Sequence, residues 1–170
     1  WAHCSQCLAC AEVCPSRALE VVGKYRTVEE TYRIVARDRD FYESSGGGVT
    51  VSGGEALLQW EFVRELLKTC QEAGLHTALD TTGYCAWENM RQVLLHTDLV
   101  LFDVKHTDSG RHREKTGVPN EQILRNLERA ASMTKVWLRV PVVPGFNDSE
   151  PNIRSTAELA VRVGAEKVSL

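Results

Sequence analysis

Apolar residues along the chain follow two periods in alternation. Val28, Tyr32, Val35 and Ala36 recur at helical spacing over residues 27–42, and Thr27 with Glu30 has the spacing of a reciprocal N-terminal cap, so a helix is predicted there. The Ser44-Ser45-Gly46-Gly47-Gly48 run ends it. From Val49 the pattern switches repeatedly: a strand over 49–52, a Gly53-Gly54 turn, then a helix bearing Phe62, Leu66, Leu67 and Cys70 that Gly74 stops. Further strands are predicted over 76–80, 99–104 and 136–142, with another beginning at 167. Helices over 86–95, 120–133 and 151–163 separate them. Four β-α units and the start of a fifth strand make an α/β protein with a parallel sheet, open or curved into a barrel.

Composition narrows the class. The chain has 170 residues, 43% of them hydrophobic, which suffices for a single core. A net charge of -3 with both signs interspersed offers no basic footprint for nucleic acid or an anionic membrane surface, so the expected partners are small molecules or proteins. No apolar run approaches the roughly 18 residues of a membrane span, and no charged-then-apolar leader opens the chain. A cytoplasmic protein is expected. The chain opens on Trp1 and closes on Lys167-Val168-Ser169-Leu170, a strand just beginning, so both ends are expected to be cut.

Residues 1–24, closed by Gly23, stand apart as a small module, with 25–170 as the α/β domain. Four of the six cysteines fall within it, in Cys4-Ser5-Gln6-Cys7-Leu8-Ala9-Cys10-Ala11-Glu12-Val13-Cys14-Pro15. The remainder is rich enough in Leu, Val and Ala not to need disulfide staples, which favours metal binding. The spacing is that of the bacterial ferredoxin run, whose thiolates hold 4Fe-4S clusters and whose fourth cysteine ligates the other cluster in two-cluster proteins. On that pattern Cys4, Cys7 and Cys10 require a fourth ligand from outside these residues.

Two further segments carry candidate chemistry. In Gly48-Val49-Thr50-Val51-Ser52-Gly53-Gly54-Glu55, a strand ends in two glycines that let a ligand approach the backbone, and Glu55 can accept hydrogen bonds from an ammonium group. The other reading is a glycine-rich connection with a solvated glutamate. Neither the Walker nor the dinucleotide spacing is present. In Asp98-Leu99-Val100-Leu101-Phe102-Asp103-Val104-Lys105, Asp103 and Lys105 share a strand face at the end where α/β folds hold ligands, which suits a zwitterion; an internal ion pair is the alternative. Asp80 and Thr81 end the preceding strand. Glu55, Asp80, Asp103 and Lys105 are therefore expected to converge at one sheet edge.

The ferredoxin run leading into SGGE, then LDTTGY, DLVLFDVK and LRVPVVPGFND, resembles the glycyl radical enzyme activases of the radical S-adenosylmethionine (SAM) superfamily. The subgroup resembled is pyruvate formate-lyase activase-like, with a ferredoxin-like insert, and the likeness runs over essentially all 170 residues. It implies a partial (β/α) barrel of the radical SAM type, opened where a first β/α unit and the continuation of the sixth strand are missing, with the cysteine module packed at one end. It implies that Gly53, Gly54 and Glu55 bind the SAM amino group. Asp80, Thr81, Asp103 and the carbonyl of Leu101 match a monovalent-cation site, Lys105 matches the lysine reaching the SAM carboxylate, and Arg139 matches an arginine near the cofactor. Ala56 stands where the family usually has proline.

The activity so implied is reductive cleavage of SAM to a 5'-deoxyadenosyl radical that installs a glycyl radical on a partner enzyme, with a flavodoxin or ferredoxin-like reductant supplying the electron. The C-x3-C-x2-C motif for the SAM-binding cluster is absent from these 170 residues, so no catalytic residue is assigned and the isolated chain is expected to be inactive. The alternatives are a radical SAM enzyme acting on a small molecule, a ferredoxin-like electron carrier and a zinc-binding interaction module. Cys70 reads as a buried helix residue, and Cys85 has no ligand-type neighbour. His3, His76, His96, His106 and His112 show no ligand spacing, and only His106 adjoins the proposed site. Trp60, Trp87 and Trp137 read as core or rim aromatics.

Overall fold

The computed structural model describes residues 4–5 and 7–170. Trp1, His3 and Gln6, which enter the readings of the chain start, the histidines and the cysteine run, lie outside the described residues.

Thr27 and Glu30 form the predicted reciprocal cap: Thr27 Oγ1 accepts from Glu30 N at 3.1 Å and Glu30 Oε2 accepts from Thr27 N at 2.8 Å. The helix they start is shorter than predicted. α2 (Val28–Val35) gives way to a 3-10 turn over Ala36–Asp38 and then α3 (Arg39–Ser45). The apolar stripe lapses in the charged Arg37-Asp38-Arg39-Asp40 run, and the Arg39 guanidinium instead donates to the carbonyl of Ala73 at 2.8 Å. Ser45 Oγ donates back to Phe41 O at 2.7 Å, carrying α3 to a left-handed Gly46 at φ 65°.

The strands are β1 (Gly48–Val51), β2 (His76–Thr81), β3 (Leu99–Asp103), β4 (Lys135–Arg139) and β5 (Lys167–Ser169), and they form one parallel sheet in chain order. The intervening helices are α4 (Trp60–Glu72), α5 (Trp87–Leu94), α6 (Ser109–Thr116), α7 (Glu121–Ala131) and α8 (Glu150–Val163). A strand order without reversal keeps the crossover helices on one face, as in a (β/α) barrel and unlike a doubly wound sheet. Leu79, Val100, Phe102 and Leu138 accordingly pack against Leu67, Met90, Leu127 and Leu159 in a single core. The alternating positions Asp80, Leu101, Asp103, Trp137 and Arg139 face the other way and are only partly covered.

Three differences from the sequence reading have local causes. α6, Ser-Gly-Arg-His-Arg-Glu-Lys-Thr, was not predicted because it has no apolar stripe; Asp108 caps it, accepting from Arg111 N at 2.8 Å, and buried His112 donates through Nδ1 to Val118 O at 2.7 Å. β4 stops before the predicted 142, since Pro141 and Pro144 have no N–H to give. The cysteine module is not packed as expected. Apart from α1 (Ala9–Glu12) it has no regular element, and no described residue before Val28 is buried. The stretch is too short to enclose apolar surface by itself. Among the described residues, no helix is long and apolar enough to cross a membrane.

Gly83 packs closely above the core. It lies at φ 72°, and a Cβ there would fall 2.2 Å from Cζ of the fully buried Phe102. Gly83→Ala is expected to destabilise the domain by about 2–4 kcal/mol, from left-handed strain and overpacking together. Urea unfolding monitored by circular dichroism checks this, and an unchanged midpoint would contradict it.

Candidate functional site

The three central strands, β2, β3 and β4, deliver charge to one edge. Pairing sets Asp80 beside Leu101 and Asp103 beside Arg139, so the two aspartates and the arginine project from neighbouring strands on the open face. Asp80 Oδ2 accepts from Ser52 Oγ at 3.0 Å and from Arg139 Nη1 at 2.5 Å. Asp103 Oδ2 accepts from Lys105 Nζ at 2.8 Å. Arg139 Nε stands 3.4 Å from Asp103 Oδ1, a charge contact without hydrogen-bond geometry, and that buried oxygen has no hydrogen-bond partner. Two carboxylates thus face two cations. The aspartate side chains keep 17% and 15% exposure against 42% for Arg139 and 33% for Lys105, so the cations remain free to turn outward.

Glu55 sits at the same edge, joined to the end of β2. Oε1 accepts from Thr81 Oγ1 at 2.6 Å and Leu57 N at 3.1 Å, while Oε2 accepts from Thr82 Oγ1 at 2.6 Å and Thr82 N at 3.0 Å. Thr81, next to Asp80 in the strand, turns its hydroxyl away from the aspartate pair toward Glu55 and also accepts from Gly83 N at 3.0 Å. The Gly53-Gly54 turn before Glu55 is open: Gly53 has φ 146°, and a Cβ built on either glycine meets no atom within 4 Å. A ligand can therefore reach this backbone closely.

Four buried asparagines, which no motif singled out, fasten the loops above the strands. Asn147 Nδ2 donates to the carbonyls of Lys105 at 2.8 Å and Pro141 at 2.9 Å, and its Oδ1 accepts from Val143 N. Asn152 ties Thr107 to Asn147, Asn120 holds the carbonyls of His106 and Thr107, and Asn126 holds those of Gly83 and Cys85. Their bonds span up to 45 residues, which is why local pattern does not reveal them. Of the four, Asn147 alone lies in a segment that carries the family resemblance, LRVPVVPGFND. His106 is buried, with Nδ1 accepting from Asp108 N at 2.9 Å and Phe146 at a ring distance of 5.3 Å. Burial lowers its pKa, so the ring is neutral with its proton on Nε2.

A depression of about 370 Å³ between His106, Arg111, Phe146 and Asn152 flanks the site. A slightly larger one, about 400 Å³ around Thr134, Lys135 and Gly164, lies at the opposite end of β4 and touches none of these charged groups. Chemistry, not volume, identifies the site.

The structure does not gather the cysteines. Cys4, Cys7 and Cys10 are exposed and Cys14 partly so, and among the described residues no three His, Cys, Asp or Glu side chains are placed to hold a metal ion. The donor set nonetheless suits a cluster. The Ala9 backbone and the Ser5 hydroxyl lower the Cys7 pKa, as the Leu19 backbone and the Ser16 hydroxyl do for Cys14, favouring the thiolates that bind iron. Cys85 differs: burial and the charge of Glu55 push its pKa up to about 12. Burial also raises that of Cys70. His76 and His96 lie at the other end of the sheet. Trp60, Trp87 and Trp137 are half-buried, with Arg64, Arg129 and Lys167 over their rings.

The sequence model of the Radical SAM superfamily matches residues 7–157. The chain is 43% identical over 169 residues to the isethionate sulfite-lyase activating enzyme of Oleidesulfovibrio alaskensis, covering 97% of this chain and 55% of that protein. It is 43% identical over 152 residues to the pyruvate formate-lyase-activating enzyme of Clostridium pasteurianum, covering 87% and 63% respectively. The crystal structure of a domain of pyruvate-formate lyase-activating enzyme from Bacteroides vulgatus superposes with a TM-score of 0.66 at 38% identity, covering 72% of this chain and 78% of that one. The chain thus spans between half and two thirds of the length of these curated relatives.

Two outcomes follow from the geometry. Asn147→Ala leaves the Lys105 and Pro141 carbonyls without their donor and is expected to cost about 1–3 kcal/mol, with Asn147→Asp no better because it sets a carboxylate against two carbonyls. Denaturant midpoints measure both. In thiol alkylation at pH 8, Cys7 and Cys14 should react quickly and Cys85 only on unfolding, its thiolate being about one part in ten thousand at that pH. Mapping by mass spectrometry would overturn the environment assigned to Cys85 if that residue reacted in the first phase.

Proposed function

The chain belongs to the Radical SAM superfamily, and from that premise we propose that it is part of an activase that reductively cleaves SAM and places a radical on a glycine of a partner enzyme. Membership implies SAM and a 4Fe-4S cluster. The observation that carries the reading to this edge is Asp103 Oδ1, a buried carboxylate oxygen with no hydrogen-bond partner, on a side chain that meets Lys105 through Oδ2 and Arg139 through Oδ1, at the same sheet edge as the open two-glycine turn after β1. Such an atom is costly unless a ligand or cation completes it. Resemblance to several activating enzymes supports the same reading.

In this proposal residues 25–170 hold SAM, and residues 1–24 supply Cys4, Cys7 and Cys10 to one auxiliary 4Fe-4S cluster and Cys14 to another. SAM presents an ammonium and a carboxylate on one carbon. The backbone of Gly53-Gly54 receives the first. Lys105, one-third exposed, releases Asp103 and turns to the second, a charge-assisted contact. Asp103 would then keep only its charge contact with Arg139, and Asp80, Asp103 and the Leu101 carbonyl would hold a monovalent cation. Thr81 belongs to the same site, although its hydroxyl is held by Glu55. Arg139 keeps Asp80 oriented and prevents the two carboxylates from repelling one another. When bound, SAM and its cluster together supply the one-electron chemistry that ends in removal of a hydrogen atom from the partner's glycine. The electron comes from a flavodoxin or ferredoxin-like protein, and the partner is a glycyl radical enzyme.

Three measurements test the proposal. Anaerobic reconstitution should load iron and sulfide and give a visible charge-transfer spectrum that Cys7→Ala diminishes, whereas stoichiometric zinc would reject the cluster. In a polypeptide that also carries the C-x3-C-x2-C segment, Lys105→Ala should weaken SAM binding about ten- to a hundredfold, equivalent to roughly 1.5–3 kcal/mol. An unaltered affinity removes that lysine from the site. A longer polypeptide carrying a C-x3-C-x2-C segment ahead of Cys4 should release 5'-deoxyadenosine on reduction, while the 170-residue chain should not; steady release from the latter would contradict the division of roles proposed here.

A further inference from the structure

Glu55 is the acidic residue of the two-glycine turn, and its charge invites the reading that it pairs with the ligand's ammonium. Its hydrogen bonds point elsewhere. An ionised carboxylate has about four acceptor positions. All four are filled by the chain itself: Thr81 Oγ1 and Leu57 N on Oε1, Thr82 Oγ1 and Thr82 N on Oε2, at 2.6 to 3.1 Å. The two hydroxyl contacts are short, as charge-assisted O–H···O bonds are. An ammonium reaching this carboxylate would have to displace a donor already in place.

We infer that Glu55 is a positioning residue: it straps the exit of β1 to the exit of β2 and so holds the Gly53-Gly54 backbone in the shape that receives the α-amino-acid end of the ligand. The inference rests on the SAM reading above and changes what Glu55 does within it. Gly53 and Gly54 have no side chains and no neighbour within 4 Å of a Cβ position, so their own contacts do not hold the turn. Its anchors lie on either side. Ser52 donates to Asp80, and Glu55 accepts from Thr81, Thr82 and Leu57. Both anchors end on β2, and the second partner, Thr81, is itself buried and fixed by Gly83 N. The turn is a bridge clamped at both ends with an open span between. The ligand's ammonium then meets backbone carbonyls of that span, while the carboxylate of Glu55 stays behind it.

The two roles of Glu55 separate cleanly at Thr82, which is not part of the proposed ligand contacts. Thr82→Val removes one of the strap's hydroxyls with little change of shape, and Thr82→Ser keeps it. If Glu55 positions the turn, Thr82→Val should speed amide hydrogen exchange at Gly53 to Leu57 about three- to tenfold and weaken SAM binding, read by NMR titration, by a similar factor. Thr82→Ser should restore both, and the melting temperatures of the two variants should match. If Glu55 instead contacts the ammonium directly, Thr82→Val frees its carboxylate and SAM binding is unchanged or tighter, which overturns the inference. Unchanged exchange in Thr82→Val also overturns it. Absence of SAM binding by the unsubstituted longer polypeptide that carries the C-x3-C-x2-C segment would instead sink the SAM reading, with the strap then decided by hydrogen exchange alone.

Discussion

A carboxylate oxygen held out of water without a hydrogen bond costs about 1–3 kcal/mol, and Oδ1 of Asp103 is such an atom. The arrangement around it follows from the need to hold that carboxylate where it is. Lys105 returns two residues along the chain to meet Oδ2, and Arg139, its neighbour in the next strand, lies across both Asp103 and Asp80. Ser52 completes Asp80 from the strand beyond. Exits of four successive strands are therefore linked by a chain of polar contacts that closes everywhere except at one oxygen. An incomplete polar network at a sheet edge gains stability when a charged ligand completes it, and this couples binding to order in the surrounding loops.

That edge can exist because the strands are parallel and run in chain order. Every strand ends at the same side, every crossover helix covers the same face, and the alternation of side chains sends Val100 and Phe102 into the core while Leu101 and Asp103 face away. The helices leave the loops above the strands short of backbone partners. Asn120, Asn126, Asn147 and Asn152 supply them, each with an amide able to donate and accept at once. Lys105 is held this way, by its carbonyl, while its side chain pairs with Asp103.

The cysteine region obeys different physics. Its thiols project into solvent with no core beneath them, and two of them are shifted toward the thiolate by backbone and hydroxyl donors. Four thiolates brought together without a cation would repel each other, so a run of this kind gains no order from its own side chains. The contrast with Cys85 is instructive. That thiol is packed against the core near Glu55, and desolvation and a like charge hold it protonated and inert.

Periodicity in the sequence was enough to determine the β-α alternation, the parallel sheet and most element positions, and the cysteine spacing was enough to suggest iron-sulfur chemistry. Those properties are local: a helix or strand reports its buried face through residues a few positions apart. α6 escaped because its eight residues have no apolar stripe, and the break at Ala36–Asp38 escaped because the cap at Thr27 says nothing about where a helix ends. For the site, motif order indicated which residues meet at the edge, but not how they pair. Arg139 and Asp80 are 59 positions apart, and Glu55 and Thr82 are 27 apart. Whether Glu55 offers its charge to a ligand or spends all its acceptor positions on its own chain depends on which donors the folded sheet edge brings within 3 Å. Only the tertiary structure decides that, because a side chain's hydrogen-bond partners are set by where distant strands end.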